Sequence, residues 1–413
     1  MASPTTSSTP ASFTPYQKFV VAILAFLQFT VILDFMIMSP LGAVIMPAMQ
    51  ITPAQFGVVV SAYAFSAGIA GLLAAGFADR YDRKKLLLFF YAGFLIGTLL
   101  CALAPNYQFL VFARMVAGLF GGVLGAVILA IIADLFELNM RGRVMGIIQT
   151  AFASSQILGL PAGIYFSNHW GWHSPFLIIV GIGLLVGVAI VFGLKPVTAH
   201  LSYKNDRHPF HHLLTTLKNP SYLLAFGTTA LLSIGGFMMM PFASAYTTGN
   251  LGISLGDLPL IYLATGLCTI VVAPLVGKAS DSLGKYPTFI FGTIVSIITV
   301  ITYTHMGVSP LWAVMAINMI MFVGIFSRMI PSQALMSALP DPQDRGAFMS
   351  LSSSLQQVAG GIASVVAGAI VVQSAEGHIE HFDTVGFVMC ATAIVALVMM
   401  FYVTRLVTRK LAK

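Results

Sequence analysis

Long apolar stretches dominate the chain and are separated by short polar connections. Most stretches run for about twenty residues or more, which in an α-helix is enough to cross the roughly 30 Å hydrocarbon core of a bilayer. Transmembrane β-strands would instead need about ten residues of alternating polarity. Twelve helical spans, numbered 1 to 12, are therefore predicted at residues 17–46, 53–77, 86–104, 107–134, 143–167, 173–194, 221–248, 258–278, 286–304, 310–337, 346–372 and 382–404.

Composition indicates that lipid is the solvent of these helices. Of 413 residues, 58% are hydrophobic and 8% are charged, against roughly 25% charged in an ordinary soluble domain. So few charges cannot cover a soluble fold of this size, which excludes a water-soluble enzyme. No catalytic triad motif is present, and the glycine runs of spans 4 and 11 lack the Lys-Ser/Thr of a nucleotide-binding loop. We expect no enzyme activity, no cofactor and no metal.

The Lys and Arg residues mark one side of the membrane. The net charge is +7, but the basic residues stand in short clusters between spans, so no nucleic-acid partner is expected. If the N-terminus is cytoplasmic, 18 of the 20 Lys and Arg fall in cytoplasmic segments, and the other two, Arg114 and Arg328, lie within spans. This pattern predicts cytoplasmic N- and C-termini. Short loops and the absence of an Asn-X-Ser/Thr glycosylation sequence, in which X is any residue except proline, favour a bacterial inner membrane.

The two halves of the chain repeat each other. Residues 75–83 after span 2 align with residues 277–285 after span 8, an offset of 202, and residues 141–145 align with 345–349, an offset of 204. A six-span unit repeated in the same orientation predicts two bundles with a cavity between them near the membrane midplane. The expected division is a disordered cytoplasmic tail (1–16), a first bundle (17–194), a cytoplasmic linker (195–220), a second bundle (221–404) and a cytoplasmic tail (405–413).

Three motifs resemble those of a known family. They are DRYDRK at residues 79–84 after span 2, RMVAG at 114–118 in span 4, and GLPAG at 159–163 in span 5. The whole chain resembles the major facilitator superfamily, and its first half is similar to the twelve-span drug:proton antiporter branch, which includes sugar and arabinose efflux permeases. Asp82 stands where that family has Gly. The resemblance implies an all-α membrane protein of two pseudo-symmetric six-helix bundles, which works by alternating access as a monomer.

Asp34 and Arg114 are the candidate proton-coupling residues. Asp34 stands midway along span 1, with at least one turn of apolar residues on either side. A carboxylate at that depth is either protonated or paired with a cation, and Arg114, about two turns into span 4, is the candidate partner. In the resembled family, spans 1 and 4 both face the cavity. We predict that Asp34 exchanges the coupling proton and that Arg114 tunes its proton affinity; a structural ion pair is the alternative.

Candidate cavity residues come from spans 1, 5, 7 and 10. Methionine adapts to irregular ligands and aromatic faces stack on planar ones, so this mixture suits amphipathic molecules, while the amides would also suit a sugar. Arg328 has no acidic residue three or four positions away, so it binds an anionic substrate group, snorkels, or pairs with backbone carbonyls near Pro331. The predicted lining is Phe35, Met38, Gln149, Gln156, Phe237, Met238, Met239, Tyr246, Asn318, Arg328 and Gln333.

A cytoplasmic gate is implied by the resemblance. In the family, the residue equivalent to Asp79 engages the start of span 11, and the one equivalent to Arg83 pairs with an acidic residue at the end of span 4, here Asp134. A carboxylate at a helix N-terminus is favoured by the helix dipole, so this arrangement would latch the two bundles together. The predicted gate residues are Asp79, Arg80, Arg83 and Asp134, with Asp281 and Lys285 as a weaker counterpart. The alternative is that these are solvated loop charges.

Together these features predict a secondary transporter that exports small amphipathic or drug-like molecules in exchange for protons. Its expected partners are a small-molecule substrate, protons and membrane lipid. Two alternatives within the same fold remain open: a permease or facilitator for sugars or other polar metabolites, and an exporter of lysolipids.

Overall fold

A computed structural model describes residues 13–77, 81–198, 215–341 and 344–411. Almost all of this part of the chain is helical, and twelve helical segments are long and apolar enough to cross a membrane, as predicted. Span 5 is broken by a π-helical segment, and span 7 by a short turn. The spans are Pro15–Met49; Pro53–Phe77; Arg83–Ala102; Tyr107–Leu135; Leu138–Ser154 with Ser155–Gly159 (π) and Leu160–Trp170; Ser174–Gly193; Pro220–Met239 with Ala243–Gly249; Leu258–Ser282; Lys285–Thr304; Leu311–Ala338; Arg345–Ile370; and Phe382–Leu411.

Each span crosses the molecule once, so successive spans run in opposite directions. We call the side on which span 1 begins the near side and the opposite side the far side. Between spans 11 and 12, on the far side, two short strands, β1 (Val372–Gln373) and β2 (Ile379–Glu380), pair antiparallel. Asn250 fastens this hairpin to the end of span 7, because its Nδ2 donates to the Ile379 carbonyl at 3.0 Å and its Oδ1 accepts from Ile379 N at 2.8 Å.

The two terminal helices are longer than the sequence predicts. Span 1 begins at Pro15 because Thr14 caps it: Gln17 N donates to Thr14 Oγ1 at 3.2 Å, and Thr14 N donates to Gln17 Oε1 at 3.0 Å. Span 12 continues to Leu411, and Lys410 Nζ lies 2.7 Å from Asp341 Oδ1. Helix thus covers the last two residues of the segment predicted as a tail at 1–16 and the first seven of the one at 405–413. Most of the predicted linker, at 199–214, lies outside the described residues.

The outer surface of the helices is apolar. Large hydrophobic side chains are exposed on most spans, including Phe26, Phe89, Leu185 and Phe192, the last of which is 86% exposed. A soluble protein rarely exposes so much contiguous apolar surface, whereas lipid tails solvate it without cost. The chain is therefore a multi-pass membrane protein.

Small residues bring the helices of the first bundle close together. A Cβ added at Gly118 of span 4 would lie 2.3 Å from the Tyr63 carbonyl of span 2, and one at Gly97 of span 3 would lie 2.5 Å from Ala117 N of span 4. Backbones that approach this closely have no room for a larger side chain. Spans 2, 3 and 4 therefore form a tight unit, and span 1 packs beside it.

The two bundles are in contact along spans 2 and 11. A Cβ at Gly57 would lie 2.5 Å from the Ser364 carbonyl towards the far side, and one at Gly71 would lie 3.2 Å from Ser354 Oγ towards the near side. Spans 2 and 11 therefore remain together over most of their length.

Spans 5 and 8 meet on the far side and separate on the near side. A Cβ at Gly266 of span 8 would lie 2.7 Å from the Ile157 side chain in the π-helical segment, and Asn168 Nδ2 donates to the Leu255 carbonyl at 2.7 Å. The near-side helix of span 5 makes few contacts with span 8. Spans 5 and 8 are therefore packed less closely on the near side than on the far side.

Candidate functional site

Asp34 and Arg114 form a buried ion pair inside the first bundle. Arg114 Nη1 lies 2.9 Å from Asp34 Oδ2 and 3.4 Å from the Asp34 carbonyl oxygen, and the exposed fractions of the two residues are 1% and 0%. Thr98 of span 3 donates to the other carboxylate oxygen, Oδ1, at 3.1 Å. The predicted pairing is thus present, and three helices hold the carboxylate.

Tyr63 and Phe35 continue from the ion pair towards the second bundle. The Arg114 guanidinium carbon lies 4.5 Å from the centroid of the Tyr63 ring, a cation–π contact. The centroid of the Phe35 ring lies 5.4 Å from that of Tyr63 and 5.7 Å from that of Phe237 in span 7. A continuous series of aromatic contacts therefore connects the ion pair to the second bundle.

Sequence reasoning found the two charges but missed their neutral neighbours. Thr98 lies four residues from the far-side end of span 3, Arg114 lies seven residues from that of span 4, and Tyr63 lies ten residues from that of span 2. At about 1.5 Å per residue they fall within roughly 9 Å of depth. Matching the depth of polar side chains in neighbouring apolar spans is the signal that would have found Thr98 and Tyr63.

The far side of the interface is closed by five residues, which we call the far-side seal: Ser39, Phe56, Met240, Phe242 and Ser244. Ser39 Oγ donates to the Met240 carbonyl, and Ser244 Oγ donates to the Ser39 carbonyl at 2.9 Å. The centroids of the Phe56 and Phe242 rings lie 6.2 Å apart. This seal joins spans 1 and 2 to span 7, so the structure is closed on the far side.

Several predicted cavity residues lie in the packed core beside this seal. Met38, Met238, Met239 and Tyr246 are 1%, 1%, 6% and 3% exposed. Tyr246 also donates hydrogen bonds towards the Thr304 and Met306 carbonyls, at 3.0 and 3.1 Å. In this conformation these four side chains pack against protein, and their contact with substrate stays a prediction.

The predicted amide residues occupy different environments. Gln149, on the near-side helix of span 5, and Gln333 in span 10 are exposed. Gln156 is buried, and its Oε1 accepts a hydrogen bond from Thr269 Oγ1 of span 8 at 3.4 Å, which connects the bundles. Asn318 Nδ2 donates within its own helix to the Val314 carbonyl at 2.8 Å. Gln149 thus lies where spans 5 and 8 separate.

Arg328 lies inside the second bundle and is 6% exposed. Its guanidinium carbon lies 5.8 Å from the centroid of the Phe289 ring of span 9. Two of its nitrogens, Nε and Nη2, are fully buried and form no hydrogen bond with the described residues. Arg328 is therefore not part of the Asp34–Arg114 cluster.

The predicted gate residues are only partly described. Asp79 and Arg80 lie outside the described residues. Arg83 Nε lies 3.3 Å from Asp134 Oδ2, a contact within the first bundle. Lys285 Nζ lies 3.2 Å from Asp281 Oδ1, a contact within the second. None of these contacts crosses between the bundles, so the latch itself stays a prediction.

Asp82, which departs from the family motif, has a structural task. Its Oδ1 accepts hydrogen bonds from Lys84 N at 2.9 Å and from Val197 N at 3.0 Å. Asp82 thus caps span 3, and it also ties the chain after span 6 to that helix. A glycine at this position could provide neither contact through a side chain.

No metal site is evident in the part of the chain that the structure describes: no three or more His, Cys, Asp or Glu side chains converge there. Cys101, Cys268 and Cys390 are free thiols.

Similarity to known proteins agrees with this architecture. The sequence profile of the Major Facilitator Superfamily matches residues 24–364 and, in a second alignment, residues 225–413. The chain belongs to this superfamily. It is accordingly a transporter and not an enzyme, and the predicted family and fold class are confirmed.

Relatives and solved structures extend over most of the chain. An MFS-type transporter of Bacillus subtilis, YceJ, is 25% identical over 372 residues, which cover 88% of this chain and 93% of that protein. The multidrug resistance protein MdtG of Escherichia fergusonii is 30% identical over 250 residues, 59% of this chain and 60% of that one. A bacterial homologue of the human lysosomal transporter Spinster, in an inward-facing and unoccupied conformation, superposes with a TM-score of 0.73 at 15% identity, covering 96% of this chain and 99% of that one.

Proposed function

We propose that this chain exports small amphipathic organic molecules in exchange for protons. The observation that carries the proposal is the ion pair between Asp34 and Arg114, because Asp34 is the one acidic residue in the sequence that lies deep within a span. Multidrug resistance proteins among its relatives, at 25–30% identity, support an export role.

The chemistry of the pair suits a coupling site. Ionised Asp34 is stabilised by the Arg114 charge and by the Thr98 hydroxyl. A proton that arrives at Asp34 removes the attraction, and the guanidinium, which stays charged, is then free to shift. Because Tyr63 stacks on that guanidinium and Phe35 links Tyr63 to Phe237, the shift alters the contact between the bundles.

The alternating cycle follows from the two faces of the interface. We take the near side as cytoplasmic, since the Lys and Arg residues cluster there. Substrate would enter from the near side between spans 5 and 8, beside Gln149, while the far-side seal is closed. Reorientation breaks the seal, releases substrate outside and exposes Asp34 to protons. A proton on Asp34 then favours return, and the cycle discharges it to the cytoplasm.

The remaining features belong to the same proposal. We place the protein in a bacterial inner membrane, as a monomer in contact with lipid, with both termini cytoplasmic. The charged cluster of Asp79, Arg80, Arg83 and Asp134 is proposed to hold the near side shut in the outward-open state, with Asp281 and Lys285 as a weaker pair. The residues at 17–194 and 221–404 would rock as two bodies, joined by the linker at 195–220.

The decisive experiment uses proteoliposomes with an imposed pH gradient and a dye that reports internal pH. Lipophilic cations, organic anions, sugars and lysolipids are added in turn to the wild type, to Asp34→Asn and to a control, Glu376→Gln. Glu376 lies between spans 11 and 12, and its side chain is 85% exposed. One class of compound should drive proton movement in the wild type and in the control, and Asp34→Asn should abolish that movement.

Other outcomes would assign a different function. Compounds that cross without proton movement, equally in Asp34→Asn and the wild type, would make the protein a facilitator and the ion pair a structural element. Movement of sugars alone would favour the polar-metabolite permease, and movement of lysolipids alone would favour the lipid exporter.

A further inference from the structure

The Arg328 guanidinium carries a buried positive charge that has no acidic partner among the residues that the structure describes. Every Asp and Glu of the second half, from Asp257 to Asp383, lies between spans or within one turn of a span end, in connections and terminal turns of helices. None occupies the interior of spans 7 to 12. In the first bundle, by contrast, Arg114 has Asp34 as its partner.

The structure excludes two ordinary explanations for a buried arginine, which are snorkelling to the membrane surface and pairing with a backbone carbonyl. Arg328 stands ten residues from Ala338, the near-side end of span 10, which is about 15 Å of helix, and it is 6% exposed, so it does not snorkel to the membrane surface. Pro331 leaves the Ser327 carbonyl without its helical donor. Even so, Nε and Nη2 of Arg328 donate to no oxygen of the described residues.

The two unused donors have a specific geometry. Nε and Nη2 lie on the same edge of the planar guanidinium, and this edge presents two parallel N–H groups. That fork matches the two oxygens of a carboxylate. The guanidinium carbon lies 5.8 Å from the centroid of the Phe289 ring, so a cation–π contact offsets part of the cost of burial but gives Nε and Nη2 no hydrogen-bond acceptor.

We propose that Arg328 binds the carboxylate of an amphipathic organic anion, and that this anion is the exported substrate. The inference rests on the proposed export function and adds its substrate class. An uncompensated charge in a low-dielectric interior is costly unless a partner arrives. The substrate supplies that partner, and the buried apolar residues beside Phe289, among them Leu335 and Met336, favour an apolar body on the anion.

Binding can be measured without transport. The purified protein is heated with acetate, benzoate, naphthoate or decanoate, each beside its neutral amide, and the melting temperature is followed against ligand concentration, since a ligand that binds the folded state raises it. The proteins are the wild type, Arg328→Met, Arg328→Lys and Arg409→Met. Arg409 is exposed on the last turn of span 12 and is the matched control for loss of one positive charge.

At least one of the larger carboxylates should stabilise the wild type and Arg409→Met, while its amide does not. The apparent Kd of that carboxylate should rise at least tenfold in Arg328→Met and less in Arg328→Lys, which keeps the charge but loses the fork. Equal stabilisation of Arg328→Met and the wild type would overturn the proposal. So would the lack of any preference for carboxylate over amide in the wild type, which is measurable even if Arg328→Met does not fold.

Two further arms separate this proposal from others. The first arm uses inorganic phosphate. If phosphate stabilises the wild type as much as the best carboxylate does, and Arg328→Met loses that stabilisation, the carboxylate assignment is overturned. Asp34→Asn should bind the carboxylate as the wild type does, because Asp34 lies in the other bundle. Loss of proton coupling with carboxylate binding intact, or the reverse, therefore tells the two proposals apart.

Discussion

Removal of one partner of the buried ion pair should be far more harmful than removal of both. In Asp34→Leu, the Arg114 guanidinium loses the carboxylate oxygen at 2.9 Å, and it cannot shed its charge. In Arg114→Met, the carboxylate is stranded instead, but it can become neutral by taking up a proton. Asp34→Leu should therefore destabilise the protein more than Arg114→Met.

The magnitude follows from the distance. At 2.9 Å and an effective dielectric constant of about 20, two unit charges attract by about 6 kcal/mol. Part of this attraction offsets the cost of moving both charges out of water, so breaking a buried pair typically costs about 3–5 kcal/mol. The double variant Asp34→Leu/Arg114→Met carries no stranded charge and should be close to wild-type stability, although it should not couple to protons.

The assay is the apparent melting temperature of the purified variants at mildly acidic and mildly alkaline pH. Arg114→Met should be destabilised less at the mildly acidic pH than at the mildly alkaline pH. Above about pH 4 the carboxylate is ionised in the unfolded chain, whereas the folded variant must retain a proton, so its destabilisation grows by up to about 1.4 kcal/mol per pH unit. A double variant as unstable as Asp34→Leu, or an Arg114→Met variant insensitive to pH, would refute this reasoning.

Two further predictions concern packing and conformation. Gly118→Leu should prevent folding because its Cβ would clash with the Tyr63 carbonyl. The control Gly125→Leu, with nothing within 4 Å of the added Cβ, should give a monodisperse protein on gel filtration. Equal behaviour of the two variants would argue against the close contact of spans 2 and 4. Asn168→Ala loses the 2.7 Å hydrogen bond to the Leu255 carbonyl, which helps to hold spans 5 and 8 together on the far side. A thiol probe applied from the far side should therefore label a cysteine introduced between the two bundles faster in this variant than in the protein with Asn168. An unchanged labelling rate would show that this hydrogen bond does not help to close the far side.

The fold was predictable because lipid imposes a simple rule on the sequence. Twenty apolar residues can cross a bilayer only as a helix with all its backbone groups paired, so length and polarity alone located twelve spans. The ends of spans 1 and 12 were harder, since they depend on local contacts such as the Thr14 cap and the Lys410–Asp341 pair. The π-helical segment at Ser155–Gly159 leaves no mark in hydrophobicity.

The candidate site was predictable in its charges and not in its surroundings. A charge deep in a span is costly and needs a partner, which pointed from Asp34 to Arg114 without any structure. Tyr63 is neutral, and its contact with the guanidinium depends on how closely spans 2 and 4 approach. Met238 was expected to line a cavity. Its burial depends on which side of the interface between the bundles is closed, and the amino-acid sequence does not indicate which side that is.

The solitary carboxylate at the centre of the first bundle sets a thermodynamic ceiling on transport. On the proposed mechanism, Asp34 exchanges one proton per cycle, since no other Asp or Glu lies deep within a span. Without a membrane potential, a pH difference of one unit is worth about 1.4 kcal/mol per proton and sustains about a tenfold concentration ratio of the solute. A membrane potential that is negative inside raises the ratio for a neutral solute, because the entering proton carries charge, and raises it further for an anion, because the departing anion carries charge as well. The charge of the cargo, rather than a second proton, would then determine how steep a gradient this carrier can build.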